Sequence, residues 1–341
     1  MDLIPAYPAP DFKDIDKWSD NVIHSIKEFK GKAILLDFWT YTCIYCLRTI
    51  PTINKIKEKY KDNDLIIISI HSAEYDFAKK IGNIEKAIST LNLNTYLTGF
   101  DLKNKTWELY GNSYWPKHIL IDKDGFVRYE HPGYGSLKDF EDAISDILEI
   151  PFPEIQYKDK EVKNEEEEIE ETNITKIYGK HFIDMAPEIC LGYSRIRRFG
   201  NNQKPKINEY NTFSDPNIIS DNTVYLRGKW RWDKEGIKPE IDHHKGKRNT
   251  AIILRYNKAS NVNVIIGSED DKPAIAEIKI DDGCLDSNQE GFHIKRENNE
   301  ACIKVTWPFI YNIVKTDQKE IHKIEIIPQS NNFYFYTFVF G

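Results

Sequence analysis

The sequence is poor in cysteine and in long hydrophobic runs, and it carries no excess of positive charge. Five cysteines in 341 residues, few and odd in number, exclude a disulfide-stapled extracellular scaffold. The densest apolar stretch, Leu65–Ile70, is far shorter than the ~18 residues of a membrane-spanning helix, so no membrane span is expected. Met1-Asp2-Leu3-Ile4-Pro5 lacks a basic segment followed by an apolar one, so no secretory signal is read and the expected location is cytoplasmic. The formal net charge is -7, with lysines interleaved among Asp and Glu. Phosphate binding needs a basic stripe, and no nucleic-acid partner is expected. No internal repeat marks a solenoid or propeller. Gly133-Tyr134-Gly135 lacks the rest of a dinucleotide fingerprint and reads as a turn.

What is present is a soluble globular composition, 40% hydrophobic and 30% charged, with length for two domains. Residues 1–150 read as α/β. The apolar run from Lys32 to Thr40 suits a strand buried on both faces. From Cys46 to Tyr60, Leu47, Ile50, Ile53 and Ile56 recur at helical spacing among Lys and Glu. A second buried strand at Leu65–Ile70 completes a βαβ unit, so the sheet is at least partly parallel. A helix is expected over Ile84–Leu91. A hairpin is expected from His118–Asp122 through Lys123-Asp124-Gly125 to Phe126–Tyr129, and a closing helix over Leu137–Leu148. Pro51 is expected to kink the first helix.

Residues 151–175 read as an acidic linker, because Pro151 and Pro153 break structure and Asn164–Glu171 is a self-repelling run. Residues 176–341 carry short β-rich runs at about 8–15-residue spacing, from Val224–Trp232 to Phe333–Phe340. That pattern argues for an all-β sandwich. Tyr225, Trp230, Trp232, Trp307, Tyr334 and Tyr336 could form a platform for sugar rings, or fill the sandwich core. Cys190, Cys284 and Cys302 stand alone and are expected to be buried small hydrophobes.

Cys43-Ile44-Tyr45-Cys46 lies where the first strand has ended and the helix begins. Unpaired N–H groups and the positive dipole end of a helix stabilise a thiolate there, which makes Cys43 the attacking sulfur. Cys46, three residues on, lies on the same side of the helix and can resolve a mixed disulfide at Cys43. Half of a zinc site is the structural alternative. It needs two further ligands, and the sequence offers no second Cys-x-x-Cys, only His243-His244 in the other domain. Thr40-Tyr41-Thr42-Cys43 also fits the Thr-x-x-Cys of peroxiredoxins, but Asp37 stands where those enzymes have proline. A thiol peroxidase is therefore an alternative, as is a glycan- or protein-binding module that carries a redox sensor.

Ile34-Leu35-Leu36-Asp37-Phe38-Trp39 running into Cys43-Ile44-Tyr45-Cys46, with Pro51 five residues on, resembles the active-site segment of thioredoxins. The resemblance implies a thioredoxin-like fold followed by a jelly-roll-like sandwich, and thiol-disulfide exchange with substrate proteins through a redox-active Cys43–Cys46 disulfide and no cofactor. It implies that Asp37 accepts the proton of the resolving cysteine. A carboxylate in an apolar strand is costly unless it has such a task, the alternative being an Asp bonded to a loop amide. In Tyr114-Trp115-Pro116-Lys117-His118 the resemblance implies a cis-proline, Pro116, that holds the substrate strand and keeps metal away, with Trp39 and Trp115 as further substrate-binding residues.

The longer segments Phe38–Pro51, Tyr110–Pro116 and Leu120–Gly125 resemble the TlpA-like branch at the C-terminus of DipZ-type proteins. Pro187–Tyr193 and Tyr336–Gly341 resemble the first and last segments of the sandwich that follows it, which is similar to a carbohydrate-binding module and implies a glycan as a candidate partner. Tyr45 stands where this branch often has Asn, which leaves the direction of electron flow open. The membrane electron-transfer domain of DipZ-type proteins is not in this sequence, so the implied electron donor is a separate protein.

Overall fold

In the computed structural model the described residues are 6–134, 137–149, 172–181, 184–242, 249–270, 272–316 and 320–341, and the chain divides into two units, Met1–Glu168 and Ile169–Gly341. The acidic run Asn164–Glu171 and the pair His243-His244 lie outside the described residues. The first unit runs β1 (Tyr7–Pro8), β2 (Lys17–Trp18), β3 (Ala33–Trp39), α1 (Ile44–Lys59), β4 (Leu65–Ser72), α2 (Ile81–Thr90), β5 (Leu97–Asp101), α3 (Lys105–Leu109), β6 (Lys117–Ile121), β7 (Phe126–Pro132) and α4 (Leu137–Leu148). Its sheet has the order β1-β7-β6-β3-β4-β5-β2. β3, β4 and β5 are parallel, and β6 runs antiparallel to β3, which is the mixed sheet expected of this half.

Side chains alternate along a strand, and that alternation decides what lies under α1. Ile34, Leu36 and Phe38 of β3 join Ile68, Ile70, Ile119, Ile121 and Trp107 in one core cluster. Leu35, Asp37 and Trp39 therefore face the opposite side, where Phe140 of α4 packs edge-on against His118 of β6 with ring centroids 4.8 Å apart and where Asp37 and Trp39 share a cavity with Cys46 of α1. α1 buries Cys46, Leu47, Ile50, Ile53 and Ile56, the stripe its sequence spacing predicts, at about 2 kcal/mol for each large apolar side chain. The helix continues through Pro51 to Lys59, one backbone hydrogen bond short. No helix among the described residues is long and apolar enough to cross a membrane.

Among its described residues the second unit is all-β apart from a short helix, α5 (Asn173–Tyr178). Thirteen antiparallel strands are described, in two ladders that share the strand Thr223–Trp232. Thr223–Arg227 pairs with Ala251–Tyr256, whereas Gly228–Arg231 pairs with Tyr210–Phe213 and Lys229–Trp232 with Ile237–Glu240. The strand changes sheets at Gly228, whose φ is 87°, a conformation glycine adopts without penalty. Trp230 and Trp232 are fully buried, and Tyr225 and Tyr334 are buried as well. These four aromatic residues fill the core, which leaves Trp307 and Tyr336 half-buried.

Two expectations are corrected here. Residues 172–175, read as the end of the linker, begin α5, where Thr172 and Thr175 form a capping box. The Tyr178 carbonyl then accepts from Asn263 Nδ2 at 3.0 Å, so α5 is fastened to the sheet. Cys190 and Cys302 are buried as expected, but Cys284 is exposed, because it lies in the two-residue return strand Gly283–Cys284 after the turn at Asp281-Asp282.

Candidate active site

Where β3 ends, three polar residues carry the chain to α1, and all three are buried. Thr42 Oγ1 donates to Glu74 Oε2 at 2.8 Å. Thr40 Oγ1 lies 3.3 Å from Thr42 Oγ1 and 3.4 Å from His71 Nε2. The Tyr41 ring stacks on the His71 ring with centroids 5.4 Å apart. Burial pushes His71 down to about 3, so this imidazole is neutral at physiological pH. The Thr40 hydroxyl thus takes part in a network with Thr42 and His71.

Cys43 is the N-cap of α1, and its Sγ accepts the Cys46 backbone N–H at 3.3 Å. Its thiol also donates to the Trp115 carbonyl at 3.5 Å, and the Trp115–Pro116 peptide is cis. Cys43 is half-buried, while Cys46 is 1% exposed. Burial, followed by the neighbouring Cys43 and the charge of Asp37, pushes the Cys46 thiol well up, against one backbone hydrogen bond from Thr40. Asp37, Trp39, Cys46, Ser69 and Tyr96 share a cavity of about 10 Å³, the volume one water needs. The pair is therefore asymmetric: one sulfur is reachable, and the other needs help to lose its proton.

Trp115 is held from two sides. Its ring stacks on Trp107 at 4.2 Å, and its Nε1 donates to the Ser72 carbonyl at 3.2 Å. Trp107 is fixed in turn because buried Asp101 accepts the N–H groups of Lys105 and Trp107 at 2.7 and 2.8 Å, anchoring the start of α3. Trp39 is 3% exposed and forms part of the cavity wall. Its ring is on the sheet face covered by α1, whereas Trp115, whose carbonyl meets Cys43, is half-buried and the neighbouring Tyr114 is 68% exposed.

Two residues that sequence reasoning missed complete the site. Arg48, 2% exposed on α1, is pushed down to about 10 by burial, while the charges of Tyr45, Tyr134 and Cys43 act the other way. It keeps its positive charge at neutral pH, within electrostatic reach of Cys43, and its guanidinium lies 5.7 Å from the Tyr45 ring centroid. His118, fully buried, places Nε2 3.2 Å from Asp37 Oδ1. Among the described residues no group of three His, Cys, Asp or Glu side chains is placed to hold a metal.

Residues 5–146 match the Redoxin family model, and residues 186–341 match that of the thioredoxin like C-terminal domain. The first unit has a thioredoxin-like fold. It is 29% identical over 276 residues to the protein DipZ of Mycobacterium tuberculosis and of Mycobacterium bovis, an alignment covering 78% of this chain and 37% of the relative. The chain thus spans little more than a third of those relatives. Over 139 residues it is 29% identical to the thiol-disulfide oxidoreductase ResA of Bacillus cereus, covering 41% of this chain and 76% of ResA. Among solved structures, a DsbE described as a putative thiol:disulfide interchange protein from Chlorobium tepidum is 26% identical, with a TM-score of 0.38, covering 43% of this chain and 99% of that one. The Redoxin match contains Asp37, Cys43, Cys46 and Pro116.

Proposed function

We propose that the protein is a thiol-disulfide oxidoreductase acting on substrate proteins. The observation that carries this reading is the asymmetric pair: Cys43 half-buried at a helix N-terminus and Cys46 buried one turn on, beside a carboxylate. In the reducing direction the Cys43 thiolate attacks a substrate disulfide, forming a Cys43–substrate bond and releasing one substrate thiolate. Cys46 gives its proton to Asp37 and attacks the Cys43 sulfur. The Cys43–Cys46 disulfide forms, the substrate leaves as its second thiolate, and two electrons have passed to it. A separate electron donor then reduces the pair again.

Cys43→Ser should abolish reduction of a protein disulfide, whereas Cys46→Ser should still attack and stop at a mixed disulfide recoverable as a covalent adduct. The reading fails if Cys43→Ser retains wild-type activity, or if no Cys43–Cys46 disulfide forms at any redox poise. The equilibrium potential sets the direction: a value near about -270 mV suits a cytosolic reductant and one near about -120 mV an oxidant of thiols. Of the six aromatic residues read as a sugar platform, Trp307 and Tyr336 are the half-buried pair a glycan could reach.

A further inference from the structure

We propose, on the reading of the site as a dithiol exchanger, that His118 is the positioning residue for Asp37: it holds one carboxylate oxygen so that the other receives the proton of Cys46. Asp37 and His118 are directly opposed across the antiparallel pair β3–β6, so their side chains leave the sheet on the same face. There Nε2 stands 3.2 Å from Oδ1. The two atoms are within hydrogen-bond distance but off its direction, and neither has another hydrogen-bond partner among the described residues. A fully buried imidazole with both nitrogens unpaired is unusual, and a small rotation toward Asp37 satisfies one nitrogen and one carboxylate oxygen together.

The groups around the pair leave His118 this task. α1 contributes Cys46, β4 contributes Ser69 as the register partner of Asp37, and the turn before β5 contributes Tyr96, whose hydroxyl donates to Asn54. β7 contributes His131 as the register partner of His118, and α4 contributes the Phe140 ring. The cavity wall holds no Lys or Arg. A His118 that donates Nε2–H to Oδ1 fixes the rotation of the carboxylate and leaves its other oxygen for Cys46. When Cys46 attacks the mixed disulfide, its proton passes to Asp37, the Cys46–Cys43 bond forms, the Cys43–substrate bond breaks, and the departing thiolate takes the electron pair. Asp37 then returns the proton to that thiolate or to solvent.

The test uses the full chain with a thionitrobenzoate mixed disulfide on Cys43, following release of the coloured thiolate by Cys46 from pH 4 to 9. His118→Leu should shift the profile to about tenfold slower release, because the carboxylate then loses the group that sets its rotation toward Cys46. His118→Gln keeps a donor and should restore the wild-type profile. In Asp37→Asn, adding His118→Leu should change nothing further. The proposal is overturned if His118→Leu superimposes on wild type, if His118→Gln shifts as far as Leu, or if the shift persists without Asp37. An Asp37→Asn profile equal to wild type overturns it as well. Failure of the wild-type chain to release the thiolate at any pH instead sinks the exchanger reading. Should His118→Leu not fold, nitrogen-15 NMR of the reduced wild type decides: the proton belongs on Nε2, and an Nδ1–H tautomer overturns the proposal.

Discussion

His71 contributes no atom to the dithiol, yet it makes the site sensitive to acid. Burial pushes it down to about 3 from 6.5, so between those values the unfolded chain binds a proton that the folded one refuses. Its stabilising contribution is full above pH 6.5 and is lost as pH falls, by about 3 kcal/mol at pH 4. His71→Gln, which keeps a partner for Thr40 and cannot charge, should lower stability at pH 7 by about 1–2 kcal/mol and flatten the loss below pH 6.5. Hydrogen-exchange protection of the β3 and β4 amides measures both, and an unchanged acid slope would remove His71 as the cause. At this scale the sequence was legible where chemistry and spacing coincide. Cys43, Cys46 and Asp37 announce themselves by three-residue spacing and by a charge in an apolar strand. His118 and Arg48 do not: the first matters through the cross-strand register that sets it against Asp37, the second through burial beside Cys43. Trp39, expected to bind substrate, is buried at 3% exposure because strand alternation turns it under α1.

Among the elements, apolar runs such as Lys32–Thr40 and Leu65–Ile70 could be read directly, whereas β5 could not. Leu97-Thr98-Gly99-Phe100-Asp101 mixes polar residues with a glycine, a pattern that does not look like a buried strand. The structure explains it: a Cβ on Gly99 would stand 3.0 Å from Ile70 Cδ1 and 3.1 Å from the Trp18 ring, and Asp101 is needed to cap α3. Gly228 has the analogous role in the second unit, with a stricter constraint. A Cβ there would lie 2.4 Å from the Asn249 carbonyl oxygen, and its positive φ adds backbone strain. Gly228→Ala should therefore cost about 3 kcal/mol or more, read as a lower urea midpoint for the sandwich. Gly111→Ala serves as the control, since its added Cβ meets nothing within 4 Å and its φ is also positive. Equal losses in the two variants would show that φ alone, and not the meeting of two sheets, dictates the glycine at 228.

Across the whole chain the five thiols sort by burial rather than by unit. Cys284 is exposed and Cys43 half-buried, while Cys46, Cys190 and Cys302 are buried. Alkylation requires an accessible thiolate, so the fully reduced native chain should label at Cys43 and Cys284 and spare the other three. After oxidation of the Cys43–Cys46 pair only Cys284 should label. Mass spectrometry of peptides from brief iodoacetamide treatment separates the sites. The pattern discriminates between explanations that activity alone leaves merged: a chain that loses Cys43 labelling on oxidation and keeps Cys284 has closed the active-site pair. Loss at Cys284 with Cys43 unchanged would place the redox chemistry in the second unit and leave the Asp37–Cys46 cavity without a task. Because Cys46 is held protonated by burial, its labelling in the native reduced state is the sharper warning. It would mean that α1 opens away from β3 readily enough for Cys46 to meet solvent, and a resolving thiol in water would have no need of Asp37.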